Sequence, residues 1–124
     1  MKTSTTVLLN KPMLRGEIWL VKLDPTMGTE ISKTRPAIIV NDNAIGILPL
    51  KVIVPVTDWK EPFATRPWMV CLEPNPANGL SKLSGADTFQ VRSVSETRLV
   101  KQLGKLDEIT MVAIAEALAT VLAI

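Results

Sequence analysis

Short apolar runs broken by turn residues fill most of the chain, and a helical period takes over only near the end. RGEIWLVKLD, from Arg15, sets Ile18 and Leu20 on one side and Trp19, Val21 and Leu23 on the other, which predicts a strand covered on both faces. DPTMG follows as a turn, with Pro25 fixing φ and Gly28 free to take a positive value. TEISKTR reads as a polar loop and PAIIV as a second strand. LKVIVPVT is a third, and its internal Pro55 predicts a sheet edge or a bulge. Beyond the long loop DWKEPFATRP come WMVCLE and SGADTFQVRSV, read as the fourth and fifth strands. SETRLVK reads as one helical turn and KQLGKL as a short final strand. Asp107 is placed to cap the last helix, with Leu106 and Met111 as a hydrophobic staple around it. Apolar residues at 111, 114, 115, 118 and 122 form one stripe of that helix.

Short antiparallel strands followed by one helix predict a small, strongly bent sheet or barrel with the helix as its cap. At 124 residues the chain fits one domain. Residues 1–13 read as an N-terminal extension, a loose segment or a short added strand, and 14–124 as the domain proper. The extension lacks the apolar length of a signal peptide. ITMVAIAEALATVLAI is too short to cross a bilayer and is interrupted by Glu116.

Composition changes the picture mainly by what it removes. With 47% hydrophobic and 21% charged residues this is a folding sequence, and a net charge of +2 leaves any nucleic-acid contact to local clustering. Histidine is absent, so the usual general base and the commonest metal ligand are both missing. The one cysteine, Cys71, excludes a disulfide within the chain, fits a reducing compartment and reads as a small core hydrophobe. No metal site and no cofactor are expected. Chemistry is left to carboxylates, hydroxyls, lysine and arginine.

KTRPAIIV then stands out. Pro36 biases Arg35 towards an extended backbone, and the apolar strand anchors it, so a permanent cation is held at the end of a rigid post. The plain alternative is a surface arginine paired with a carboxylate.

RGEIWLVKLDPTMGTE, KTRPAIIV, IVPVTD, FQVRSV and LGKLD, in that order, resemble the MazF/PemK/Kid toxins of bacterial toxin–antitoxin pairs. The likeness runs from about Arg15 to the C-terminus. It implies a mainly β fold, a small SH3-like antiparallel barrel of the CcdB/MazF kind with a C-terminal helix. It also implies a cytoplasmic homodimer that cuts single-stranded RNA without a metal, held in check by a small acidic antitoxin. In that family the arginine before the proline and the threonine ending the third strand are active-site residues. They match Arg35 and Thr57, and Glu30 matches the acidic residue closing the first loop. Several relatives carry a carboxylate where Phe89 stands, and some a histidine where Thr29 stands. The base is therefore open among Glu30, Asp87 and Asp58. Asp87 is expected on the same face of the fifth strand as Phe89.

Metal-free cleavage of RNA uses the substrate's own 2′-hydroxyl as nucleophile. The enzyme must stabilise charge on phosphorus, and a guanidinium does this with two parallel donors. The loop holding Trp59, Lys60, Phe63, Arg66 and Trp68 mixes aromatics with cations, a pattern suited to stacking unpaired bases. Trp68 reads as a residue pinning that loop to the sheet. Trp59, Lys60 and Arg66, with Thr29 and Lys33 on the first loop, are the candidate RNA contacts; Arg92 and Arg98 are expected to brace structure. Three other readings fit part of this pattern: a CcdB-like toxin that binds a topoisomerase and cleaves nothing, a catalytically impaired relative that keeps antitoxin or RNA binding, and a plain RNA-binding barrel.

Overall fold

The structure, a computed structural model, describes residues 12–45 and 48–124. Among them the strands are β1 (Glu17–Lys22), β2 (Thr34–Ile39), β3 (Leu50–Asp58), β4 (Met69–Leu72), β5 (Ser84–Asp87), β6 (Arg92–Ser95) and β7 (Leu99–Lys105). The one α-helix among the described residues, α1 (Glu108–Leu122), lies at the C-terminal end. All strand pairs are antiparallel, in the order β4-β5-β3-β2-β1-β7, with β6 also on β3. The mainly β sheet with a C-terminal helix matches the expectation, but the barrel does not close. No ladder joins β4 to β7. The loop 73–83 bridges the gap instead, with the Lys105 N–H donating to the Ala77 carbonyl at 2.9 Å.

Both faces of β1 and β2 are buried, as their apolar runs predict. Ile18 and Ile38 join one core cluster with Val54, Val56, Leu72 and Ile114. Trp19, Val21, Leu23, Ala37 and Ile39 join a second with Ile53, Val94 and Leu99. The expected added strand within residues 1–13 lies outside the described residues except for Pro12 and Met13, of which Met13 packs on the second cluster.

Of the edge or bulge that Pro55 predicted, β3 is not the edge. It lies inside the sheet, with Pro55 opposite Ala37 on β2. The other side of β3 breaks there: β6 pairs with it up to Ile53, and β5 resumes at Val56. A proline has no N–H for a ladder, so the break takes the place of the edge. It also divides the expected fifth strand. SGADTFQVRSV is β5 and β6 joined by a 3-10 turn over Thr88–Gln90. Phe89 therefore does not share a strand face with Asp87. The turn is held by the Thr88 hydroxyl, fully buried and donating to the Trp68 carbonyl at 2.6 Å, and by the Asp87 carboxylate, which accepts from the Phe89 N–H at 3.1 Å.

Cys71 is exposed, contrary to expectation. β4 is the edge strand: Val70 and Leu72 point to the first core cluster, and Cys71, on the opposite face beside Met69, is open to water. Burial and the neighbouring Glu73 carboxylate push its thiol pKa up, away from reactivity.

The last helix starts as predicted. The Asp107 carboxylate accepts from the Thr110 N–H at 2.7 Å, which holds its pKa below the usual range, and Leu106 with Met111 packs on the first core cluster. The inner face differs in detail. Ile114 and Ala117 are buried and Met111 and Leu118 half-buried, while Ala115 and Leu122 are exposed. No helix among the described residues is long and apolar enough to cross a membrane.

Candidate active site

Arg35 stands inside β2 rather than on the loop before it, paired with Val21 of β1. Pro36 beside it forces the extended backbone that a strand needs. The β2–β3 ladder ends at Ala37 and Pro55. Two steps further along that register, Arg35 and Thr57 flank a cleft of about 340 Å³, which Asp58, Lys82 and Ser84 also line. Arg35 Nε is buried and has no hydrogen-bond partner. Among the described residues the ion pairs are Lys51–Glu96 and Lys82–Asp58, so no carboxylate neutralises Arg35. This removes the surface-pair alternative and any pairing with Glu30. A buried cationic donor without a partner is costly until an anion supplies one.

The remaining carboxylates divide by location. Asp58, at the end of β3, shares the Arg35 cleft and lies 3.5 Å from the exposed Lys82 ammonium. Glu30 and Thr29 line a second cleft of about 530 Å³ with Asp87, Phe89, Gln90 and Trp68. Glu30 is exposed, and its carboxylate folds back to accept from the Met27 N–H. The structure thus brings Arg35, Thr57 and Asp58 together and sets Glu30 and Asp87 elsewhere.

Asp87 is half-buried, and desolvation raises its pKa above the usual carboxylate value, against the lowering effects of the Phe89 N–H, the Gln90 amide and Arg66. The folded chain therefore holds that proton to higher pH than the unfolded chain. Its contribution to stability falls as pH rises from about 4 through the folded-state pKa. We expect the stability of wild type relative to Asp87→Asn, read by urea unfolding, to decline from pH 3.5 to pH 7. A difference that rises over that range would show the carboxylate to be stabilised by its donors instead.

The aromatic loop contains a 3-10 turn, Glu61–Thr65. Trp59 meets Phe63 edge to face at 5.6 Å and lies against Gly85 of β5. The exposed Arg66 lies over Phe63 at 5.3 Å and Trp68 at 6.0 Å, and Lys60 is exposed at the start of the turn. Lys33 is exposed with φ of 69°, one residue before β2. Trp68 meets Phe89 edge to face at 5.7 Å, in keeping with a pinning role, and Phe89 itself is 64% exposed. Arg92 and Arg98 brace structure: Arg92 donates to the Leu23 carbonyl, and Arg98 to those of Lys22 and Asp24.

Two residues of interest escaped the sequence reading. Lys82 sits in GLSKLSG, where nothing but its charge marks it, yet the fold brings it into the Arg35 cleft. Gln90 contacts the first loop from some sixty positions away, a juxtaposition that no local pattern encodes. Among the described residues no three of His, Cys, Asp or Glu group as a metal site would require.

The sequence profile of the PemK-like, MazF-like toxins of type II toxin–antitoxin systems matches residues 14–122. The chain belongs to that family. Endoribonuclease MazF9 of Mycobacterium tuberculosis is 31% identical over 112 residues, 86% of this chain and 92% of that protein. Endoribonuclease PemK of Escherichia coli is 56% identical over a shorter stretch of 46 residues, 36% of this chain and 35% of that protein. Among solved structures, MazF of Deinococcus radiodurans superposes with a TM-score of 0.76 at 22% identity, over 93% of this chain and 100% of that one. A mycobacterial endoribonuclease in complex with its cognate antitoxin gives 0.73 at 24% identity, over 91% and 97%. The open, bent sheet with its C-terminal helix is thus the architecture of MazF toxins.

Proposed function

We propose that this MazF/PemK-family toxin is a cytoplasmic endoribonuclease that cuts single-stranded RNA, works as a homodimer and is neutralised by a small acidic antitoxin. The observation that carries the reading is Arg35, whose buried Nε lacks a partner in a cleft shared with Thr57. A scissile phosphate in that cleft takes the anionic place that no carboxylate fills beside the Arg35 guanidinium. The 2′-hydroxyl next to it attacks phosphorus, and its proton goes to Asp58, the carboxylate that shares this cleft. Arg35 and the Thr57 hydroxyl donate to the phosphoryl oxygens as charge builds there. The P–O5′ bond breaks, the departing oxygen takes a proton from solvent, and a 2′,3′-cyclic phosphate remains. The RNA strand continues over Thr29, Lys33, Trp59, Lys60 and Arg66, which bind it by stacking and charge. Glu30 closes the first loop and presents it to the strand.

This chemistry uses no metal ion. Purified toxin should cleave a long RNA in excess EDTA, leaving 2′,3′-cyclic phosphate and 5′-hydroxyl ends. Activity lost on chelation and restored by magnesium would overturn the mechanism. Intact RNA under both conditions would favour the impaired reading, which the exposed Phe89 at a carboxylate position keeps open.

A further inference from the structure

The loop between β1 and β2 is fastened twice, by different means. Its base is tied by the Leu23 N–H to the Lys33 carbonyl at 2.9 Å, and by Arg92 and Arg98 to the carbonyls of Leu23, Lys22 and Asp24. None of these bonds reaches the tip, where Met27 is 82% exposed and Thr29 and Glu30 stand in water. The half-buried Ile31 rests its side chain on the second core cluster, and among the described residues one side chain from outside the loop hydrogen-bonds the tip. Gln90, on the 3-10 turn that interrupts the sheet, accepts from the Ile31 N–H through Oε1 at 2.6 Å and donates through Nε2 to the Thr29 carbonyl at 3.3 Å. The same Nε2 lies 3.3 Å from Asp87 Oδ2.

An amide has one donor end and one acceptor end, so it can pair with a carbonyl and an N–H two residues apart much as a neighbouring strand would. Neither glutamate nor lysine at this position could form both bonds. Gln90 therefore spans the second cleft: one wall is the loop tip with Thr29 and Glu30, the other is the turn with Asp87 and Phe89.

We propose that Gln90 is a positioning residue for RNA, which fixes the loop tip against the turn and sets the distance between Thr29 and Glu30 on one side and Asp87 on the other. The proposal rests on the nuclease reading above but adds a residue that touches neither phosphate nor base. Because the base of the loop is fastened independently, losing Gln90 should free the tip without unfolding the sheet. Binding, which needs the tip in place, should weaken, while chemistry in the Arg35 cleft continues.

The test compares wild type with Gln90→Met, close in shape but without polar ends, and with Gln90→Glu, which keeps the acceptor for Ile31 and loses the donor. Amide exchange is read at Ile31 and at Leu23, and KM and kcat are measured on one long RNA. In Gln90→Met, exchange at Ile31 should quicken by about fivefold, the factor that one net hydrogen bond is worth, while Leu23 is unchanged. KM should rise by about fivefold with kcat held within about twofold, the signature of lost binding alone. Gln90→Glu should protect Ile31 better than Gln90→Met does. Unchanged exchange at Ile31 overturns the tether. Faster exchange with unchanged KM overturns the positioning role, as does a fall in kcat accompanied by loss of protection at Leu23. If wild type cleaves nothing, it is the nuclease reading that fails, and the exchange comparison still scores the tether by itself.

Discussion

Arg35→Ala should cut the single-turnover rate of RNA cleavage by at least about 10²–10³-fold, the usual consequence of removing one preorganised donor to a developing oxyanion. The same variant should melt no lower than wild type. Arg35 makes no ion pair among the described residues and leaves Nε buried without a partner, so the folded protein loses little when the guanidinium goes. Loss of rate without loss of stability separates a catalytic arginine from a bracing one such as Arg92 or Arg98. Arg35→Lys should recover only a small part of the rate, because a point charge replaces the two-pronged donor. Cleavage by Arg35→Ala at the wild-type rate would end the catalytic assignment, and the cleft it shares with Thr57 would need another purpose.

Gly79→Ala should lower stability by about 2–5 kcal/mol, the sum of a left-handed backbone penalty and forced overpacking. Gly79 has φ of 69°, and an added Cβ would lie 2.0 Å from the Leu103 carbonyl oxygen and 2.7 Å from its carbon. Those are backbone atoms of β7 and cannot turn aside. From the opposite side, a Cβ at Gly104 would lie 2.4 Å from the Ala77 carbonyl oxygen. Backbone therefore meets backbone where the sheet fails to close. Gly28 is the control. It too has positive φ, at 58°, but nothing lies within 4 Å, so Gly28→Ala should cost only the backbone penalty, about 1–2 kcal/mol. Chemical denaturation of both variants checks the contrast. A Gly79→Ala variant within about 0.5 kcal/mol of wild type would mean that the loop relaxes off β7. Because Gly79 and Lys82 both line the Arg35 cleft, such relaxation would also appear as reduced cleavage.

The strands legible in the sequence were those whose side-chain pattern is set by burial. β1 and β2 are covered on both faces, and their continuous apolar runs said so. The cap on α1 was equally readable, because Asp107 and Thr110 are near neighbours in the chain. What failed depended on the third dimension. Pro55 signals a missing ladder bond, but whether the sheet answers with an edge or with a split neighbour depends on β5 and β6. Cys71 is apolar enough for a core, and only the placement of Val70 and Leu72 on the inner face of β4 leaves it turned outward. The stripe on α1 was misjudged by a fraction of a turn, because periodicity gives an apolar arc and not the line on which the helix rests. At the candidate site, Arg35 and Thr57 could be named from a family likeness. That Asp58 shares their cleft while Glu30 and Asp87 line another is a fact of geometry alone.

The partnership of β1 with β7 has a consequence in time. Glu17 lies opposite Lys105, so the first of the described strands waits for the last before its outer edge is covered. The loop that walls the Arg35 cleft leans on that same last strand. Pairings this distant in sequence form slowly and late. A chain emerging from the ribosome therefore carries Arg35 and Thr57 long before it has the wall that completes their cleft. A toxin built this way stays unarmed through most of its own translation, and the cell that makes it gains an interval in which an antitoxin can be waiting.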